Sequence, residues 1–167
     1  MPDFEQYEPT SFMAGPANVF QPKVSNRFIL YVDGIPSFIC KKVNRPTIAI
    51  EAKELDHINT KRKIQGKANW ENVTIEMYDP VVPSGAQAVM EWVRLGYESV
   101  TGRAGYADFY KKNVTINTLG PVGDKVEEWT LFGAFIVNAT FGDLEWATDD
   151  PINISVELAY DYAVLQY

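Results

Sequence analysis

The sequence predicts a mainly β protein, an antiparallel sandwich or barrel-like sheet with one flanking α-helix, and three observations carry that prediction. In "PINISVELAYDY", Ile152, Ile154, Val156, Leu158, Tyr160 and Tyr162 take every second position, with Asn153, Ser155, Glu157, Ala159 and Asp161 between them. That is the period of a strand with one apolar and one polar face. Aromatic residues make up 13% of the 167 residues, a share that suits strands and contact surfaces better than a long helical bundle. Only one stretch, after Ser84, shows a sustained helical period.

Taken in order, residues 1–26 are rich in proline, polar residues and isolated aromatics without either period, and read as an extended N-terminal arm. Residues 27–167 then form a single β domain. "RFILYVDGIPSFICKKV" has the pattern of a hairpin, with Phe28, Leu30 and Val32 alternating, Asp33-Gly34 as the turn, and Phe38 and Cys40 resuming the apolar positions. "RPTIAIEAKEL" reads as a strand, "DHINTKRKIQGKAN" as a long basic connection, and "WENVTIEMYD" as the next strand. Ser84 followed by Gln87 is a capping-box pattern, and Ala86, Val89, Met90, Val93 and Tyr97 recur at helical spacing, which predicts a helix near 84–98. A second hairpin, turned at Gly120, Pro121 and Gly123, leads into strands interrupted near Gly142 and at Asp149, Asp150 and Pro151.

Charge narrows the function classes. The net charge of −7 argues against general nucleic-acid binding, which draws its affinity from basic surface. The charge is also sorted along the chain. Between Lys41 and Lys67 eight cations face three carboxylates, a net of +5, whereas from Ile136 onward there are six carboxylates and no Lys or Arg. A single cysteine, Cys40, forms no internal disulfide, and with His57 as the only histidine there is no His/Cys set for zinc. The N-terminal stretch has no basic leader and no apolar run reaches membrane-spanning length, so we expect a soluble, intracellularly made chain with no membrane anchor.

Tests for catalytic chemistry return nothing that rises above structure. Glu157 and Asp161, four residues apart on a strand, are separated by about 13 Å, too far for a carboxylate dyad. Asp149 and Asp150 before Pro151 form a turn combination. His57 has no second histidine beside it, no G-x-S-x-G elbow occurs, and "GPVGDK" joins two strands without the Ser/Thr and helix of a phosphate loop. We expect no enzyme, no metal and no cofactor.

Several segments, in shared order from about Asn18 to Tyr162, resemble the tail tube proteins of contractile-tailed bacteriophages, related to type VI secretion and contractile bacteriocin tubes. They are "ANVFQPKV", "FICKKVNRPT", "INTKRKIQGKANWENVTIEMYD", "VMEWV", "YKKNVTI" and "FGAF...GDLEWATDDPINISVELAYDY". Val137 stands where the resemblance leads to a proline, and the C-terminal "AVLQY" runs beyond the point where similar proteins end.

The resemblance implies a structural virion protein. Six copies would close into a hexameric ring whose sheets join into one β-barrel, and rings would stack into the inner tail tube, a conduit for DNA ejection. The implied partners are the chain itself and the tail sheath, tape-measure, baseplate and tail terminator proteins, with DNA passing the lumen without specific binding. The implied location is the phage tail, after synthesis in the host cytoplasm. In this reading Lys53, Lys61, Arg62, Lys63 and Lys67 are candidates for contact between rings. Asp143, Glu145, Asp149, Asp150, Glu157 and Asp161 are candidates for the lumen wall or for contact between subunits. Two alternatives stand beside it: a baseplate or tail-completion paralogue of the tube subunit, and a β-sandwich carbohydrate-binding module using Trp146 or Trp129 as a sugar platform.

Overall fold

A computed structural model of the chain describes residues 21–166; most of the proposed N-terminal arm lies outside the described residues. Among the described residues nine strands and two helices follow one another: β1 (Phe28–Val32), β2 (Cys40–Val43), β3 (Ile48–His57), β4 (Thr60–Trp70), β5 (Val73–Tyr78), α1 (Gly85–Gly96), α2 (Ala107–Tyr110), β6 (Lys112–Leu119), β7 (Lys125–Thr140), β8 (Asn153–Ala159) and β9 (Tyr162–Leu165). The fold is mainly β and antiparallel, as the sequence predicts, and no closed barrel is found among the described residues.

One sheet runs in the order β1-β6-β7-β8-β5-β2, with β9 also paired to β7, while β3 and β4 form a separate two-stranded hairpin. The 16-residue β7 is the hinge of the design. Its first part pairs β6 on one side and β9 on the other, from Trp129↔Leu165 to Phe132↔Tyr162, and its second part pairs β8 from Phe135↔Ala159 to Thr140↔Ser155. Between these parts Gly133 adopts φ +66°, opposite a register shift at Lys112/Val114. An extra residue in a left-handed conformation bends a strand and increases its twist, which folds the sheet over its own core. A second register shift leaves Val137 as the extra residue between Ile136 and Asn138, so a bulge occupies the place where the resemblance leads to proline.

The core is filled from both layers by Leu30, Val32, Ile75, Met77, Val114, Ile116, Leu131, Ile154, Val156 and Leu158. The alternation read in β8 is confirmed from Ile154 to Tyr160, and fails at its two ends, where Ile152 and Tyr162 are exposed. The helix also confirms its prediction. Ser84 caps it by accepting from the Gln87 N–H at 3.4 Å, and Val89 and Trp92 are its buried side. Asp79 adds a cap of its own, accepting from the N–H groups of Gly85 at 2.9 Å and Ala86 at 3.3 Å. The indole N–H of Trp92 donates to the Tyr110 carbonyl at 2.7 Å and ties α1 to α2. Tyr97, the last residue at the predicted helical spacing, lies at the helix C-cap and is exposed.

Two local readings are corrected. The "YVDGIPSF" turn does reverse the chain, with Ile35 N–H donating to Val32 O at 3.2 Å, but β1 and β2 do not form a hairpin. Pro36 supplies no N–H, and the following 3₁₀ turn, Ser37–Ile39, redirects the chain so that β2 pairs β5 and β1 pairs β6. The "long basic connection" is mostly β4, paired with β3 from Ile48↔Trp70 to His57↔Thr60, with one register shift between Ile50 and Ala52, across the two-residue turn Ile58-Asn59.

Candidate assembly surface

The β3–β4 hairpin stands outside the core, and every residue of β3 is exposed. Its construction follows from cross-strand pairs, which share a face in an antiparallel ladder. At the base, Ile48 lies opposite Trp70 and Ile50 opposite Ala68; towards the tip, Glu54 lies opposite Lys63 and Asp56 opposite Lys61. The intervening pairs, Lys53 with Ile64 and Leu55 with Arg62, put branched apolar side chains beside cations. Lys61 reaches Glu54 at 3.0 Å and Lys63 reaches it at 3.9 Å. Midway, a register shift brings Gly66 so close to the partner strand that a Cβ would meet the Glu51 carbonyl oxygen at 2.8 Å. Lys67 follows in the same bulge. All five cationic candidates, Lys53, Lys61, Arg62, Lys63 and Lys67, are therefore exposed on one protruding hairpin.

The hairpin is held at its base from two directions. The Trp70 and Tyr160 rings meet with centroids 6.0 Å apart, and the Glu71 N–H donates to Thr47 O at 2.9 Å. On the neighbouring side Glu127, only 7% exposed in its side chain, accepts from Lys23, from Arg45 Nη1 at 3.4 Å and from Trp129 Nε1 at 2.5 Å. Lys23 precedes β1 and Arg45 joins β2 to β3, so one carboxylate ties three parts of the chain. The sequence offers no pattern that singles out Glu127, because its partners lie 104 and 82 residues away.

Burial pushes the Glu127 carboxyl up, but the hydrogen bonds from Lys23, Trp129 and Arg45 and the Lys23 charge outweigh it and hold the group below its usual value. A carboxyl depressed in the folded state contributes stability that is fully present above the unfolded value of about 4.3 and is lost as pH falls through the folded one. Glu127→Gln should therefore lower unfolding stability by on the order of 1–3 kcal/mol at pH 7, with the gap between variant and wild type closing below about pH 4. Urea titrations at stepped pH values measure this; a gap that is absent, or unchanged at pH 3, would show that the ionised clamp contributes nothing.

The acidic candidates separate into two groups. Glu157 points outward from β8 and accepts from Asn72 Nδ2 at 2.8 Å, and Asp161 binds Lys111 Nζ through both oxygens at 2.9 Å. Asp143, Glu145, Asp149 and Asp150 lie exposed on the loop from 141 to 152, together with exposed Leu144 and Trp146. Trp129 is half-buried against the core with its N–H committed to Glu127, which removes it as a sugar platform. Trp146 is fully exposed.

These two charged regions occupy opposite ends of one sheet. The hairpin departs where β5 begins, beside Val73↔Leu158, and the acidic loop leaves β7 and enters β8 beside Tyr78↔Asn153. Seven residues of β8 separate them, about 20 Å of strand. Burial raises the Cys40 thiol to about 11, consistent with an inert half-buried side chain. Among the described residues no group of three or more His, Cys, Asp or Glu is placed to hold a metal ion, and no helix is long and apolar enough to cross a membrane.

Among the described residues, strand edges without a partner, a hairpin outside the core and charge sorted to two ends are the marks of an antiparallel β-subunit. Residues 24–164 match the family described as T4-like virus tail tube protein gp19, and the chain belongs to that family. No curated protein matches it. Among solved structures, a chain of the sheath-tube complex of the PVC extracellular contractile injection system in the extended state is similar with TM-score 0.71 and 20% identity, over 89% of this chain and 93% of that one. A chain of the anti-feeding prophage tube-terminating cap matches with TM-score 0.71 and 17% identity, over the same 89% and 93%. A type six secretion system protein is more distant, with TM-score 0.51 and 8% identity over 84% of this chain and 82% of that one. At these identities the likeness is one of fold.

Proposed function

We propose that this chain is the tube subunit of a contractile tail: six copies close into a ring, and rings stack into the inner tube through which DNA leaves the particle. The observation that carries this reading is the β3–β4 hairpin. Ile48, Ile50, Leu55 and Ile64 are each about half exposed on it, and both of its outer edges are unpaired among the described residues. In an isolated monomer such an element is an aggregation hazard; in a ring it is covered and paired by the neighbouring copies. The Lys53 to Lys67 cations then meet the adjoining ring, and the role is structural.

Conduction of DNA rests on the outward face of β7, β8 and β5. Its cross-strand neighbours Asn138, Glu157, Thr74, Ser155 and Glu76 form a polar surface with carboxylates and hydroxyls, and Lys42 lies 3.4 Å from Glu76. A lumen wall of this kind, with its lysine paired to Glu76, repels phosphate and gives DNA little basic surface to hold. In the particle, the remaining neighbours of such a tube are the sheath outside, the tape-measure protein within, and the baseplate and terminator at its ends.

Purified protein is expected to sediment as six-membered rings or longer assemblies and to show rings or tubes by electron microscopy without added cofactor. A monomer at every protein and salt concentration tried would overturn the proposal.

A further inference from the structure

The acidic loop has a counterpart in the same molecule. Where the sheet leaves β1 and β2 apart, a groove of about 660 Å³ is lined by Lys23, Arg27, Lys41, Lys42 and Arg45 and by no carboxylate. Phe28 and Ile116 give it an apolar floor. Glu127 engages Lys23 and Arg45, Glu76 engages Lys42, and Lys41 lies over the Tyr78 ring at 5.4 Å, while Arg27 has no carboxylate partner among the described residues. Among the described residues β1 pairs only β6 and β2 pairs only β5, so each brings an unpaired strand edge.

The loop from 141 to 152 is the complement in charge and in polarity. It carries Asp143, Glu145, Asp149 and Asp150, none of them ion-paired among the described residues, around Leu144 and the fully exposed Trp146. A tryptophan held out in water among carboxylates is placed for a contact that joins an apolar floor to a cationic rim. Covering an aromatic of this size removes about 150–250 Å² from water.

Resting on the tube reading, we propose that the 141–152 loop of one copy docks, with Trp146 leading, into the basic groove between β1 and β2 of the next copy. The occupant is a second copy of this chain because loop and groove lie at opposite ends of the sheet. The groove adjoins the β5 end at Thr74, where Asn44 N–H donates to Thr74 O at 3.2 Å, and the loop adjoins the Tyr78 end. A contact between different surfaces at opposite ends is heterologous, and it propagates head to tail. Complementary charge also disfavours groove-to-groove and loop-to-loop encounters, which fixes polarity. The hairpin and this groove would then act at the same end of each subunit, as two separate parts of one joint.

The test is disulfide trapping in full-length protein with Cys40→Ser, carrying Asn26→Cys at the groove and Ala147→Cys beside Trp146 in the loop. Assembled fractions of the double variant should give a ladder of cross-linked chains on a non-reducing gel, and each single variant at most dimers. Alongside, Trp146→Ala, an exposed change that leaves the fold intact, should raise the protein concentration needed for stacked assemblies by about tenfold or more. If wild-type and Cys40→Ser protein form tubes and the double variant assembles without any ladder, the loop-to-groove contact is overturned while the tube reading stands. If wild-type protein never leaves the monomer, the tube reading itself falls. Trp146→Ala tubes forming at the wild-type concentration would also overturn the contact.

Discussion

Gly133→Val is expected to lower the free energy of unfolding by about 2–4 kcal/mol, seen as a lower urea midpoint with little change in slope. Two causes add. The backbone at residue 133 has φ +66°, a conformation that a β-branched side chain adopts only under strain. A Cβ there would stand 2.2 Å from Asp161 Oδ2, so Asp161 must swing away and release Lys111. Gly123 provides the control, since it has φ +82° in a turn with open space around it. Gly123→Val should carry the strain alone and cost clearly less. Equal losses at the two positions would show that crowding at the bend is unimportant, and a wild-type midpoint for Gly133→Val would show that the bend tolerates an ordinary residue.

Reversal of Lys61, Arg62 and Lys63 to Glu should leave the sandwich folded by circular dichroism while shifting the protein from tubes to single rings. Each exposed pair is worth only about 0–1 kcal/mol, but a closed ring repeats every such contact around its circumference. The structure adds a control that the sequence did not suggest. Lys61 and Lys63 lie directly across from Asp56 and Glu54, so their reversal also sets like charges opposite one another and weakens the hairpin tip. Substituting Gln at the same three positions removes the attraction without that repulsion, and should shorten tubes to an intermediate degree. Tubes of the triple Glu variant as long and as quickly formed as wild type at low salt would show that the hairpin charge plays no part in stacking.

How far the sequence discloses this molecule depends on the range of each interaction. The β8 alternation from Ile154 to Tyr160, the Ser84 cap and the turn at Gly120 to Gly123 are set by neighbours a few residues apart, and each is found where its pattern places it. The order of quoted motifs likewise identifies the family. Strand partners are different, because the same alternation in β1 serves equally well for pairing β2 or β6. Asp33-Gly34 has the residues of a hairpin turn, yet two residues later Pro36 and a 3₁₀ turn send the chain elsewhere. In β4 the usual apolar alternation is missing because its faces are not buried in the sandwich, so a strand of "TKRKIQGK" reads as a loop until its pairing is seen. The charge asymmetry was legible in composition. Its division between two ends of one sheet, and the clamp at Glu127, depend on residues brought together from up to 104 positions apart.

The hairpin's exclusion from the core also divides the molecule's stability into two accounts. Opening β3 and β4 exposes little that is not already in water, whereas opening β7 breaks its ladders with β6, β8 and β9 and uncovers Leu131 and Ala134. Elements with few buried contacts open locally at small free-energy cost while the rest of the domain stays native. A free subunit can thus loosen this element without unfolding the rest. In the proposed tube, order in the hairpin would become a property of the collective, and joining would be a cooperative event in which each arriving copy finishes the folding of its neighbour.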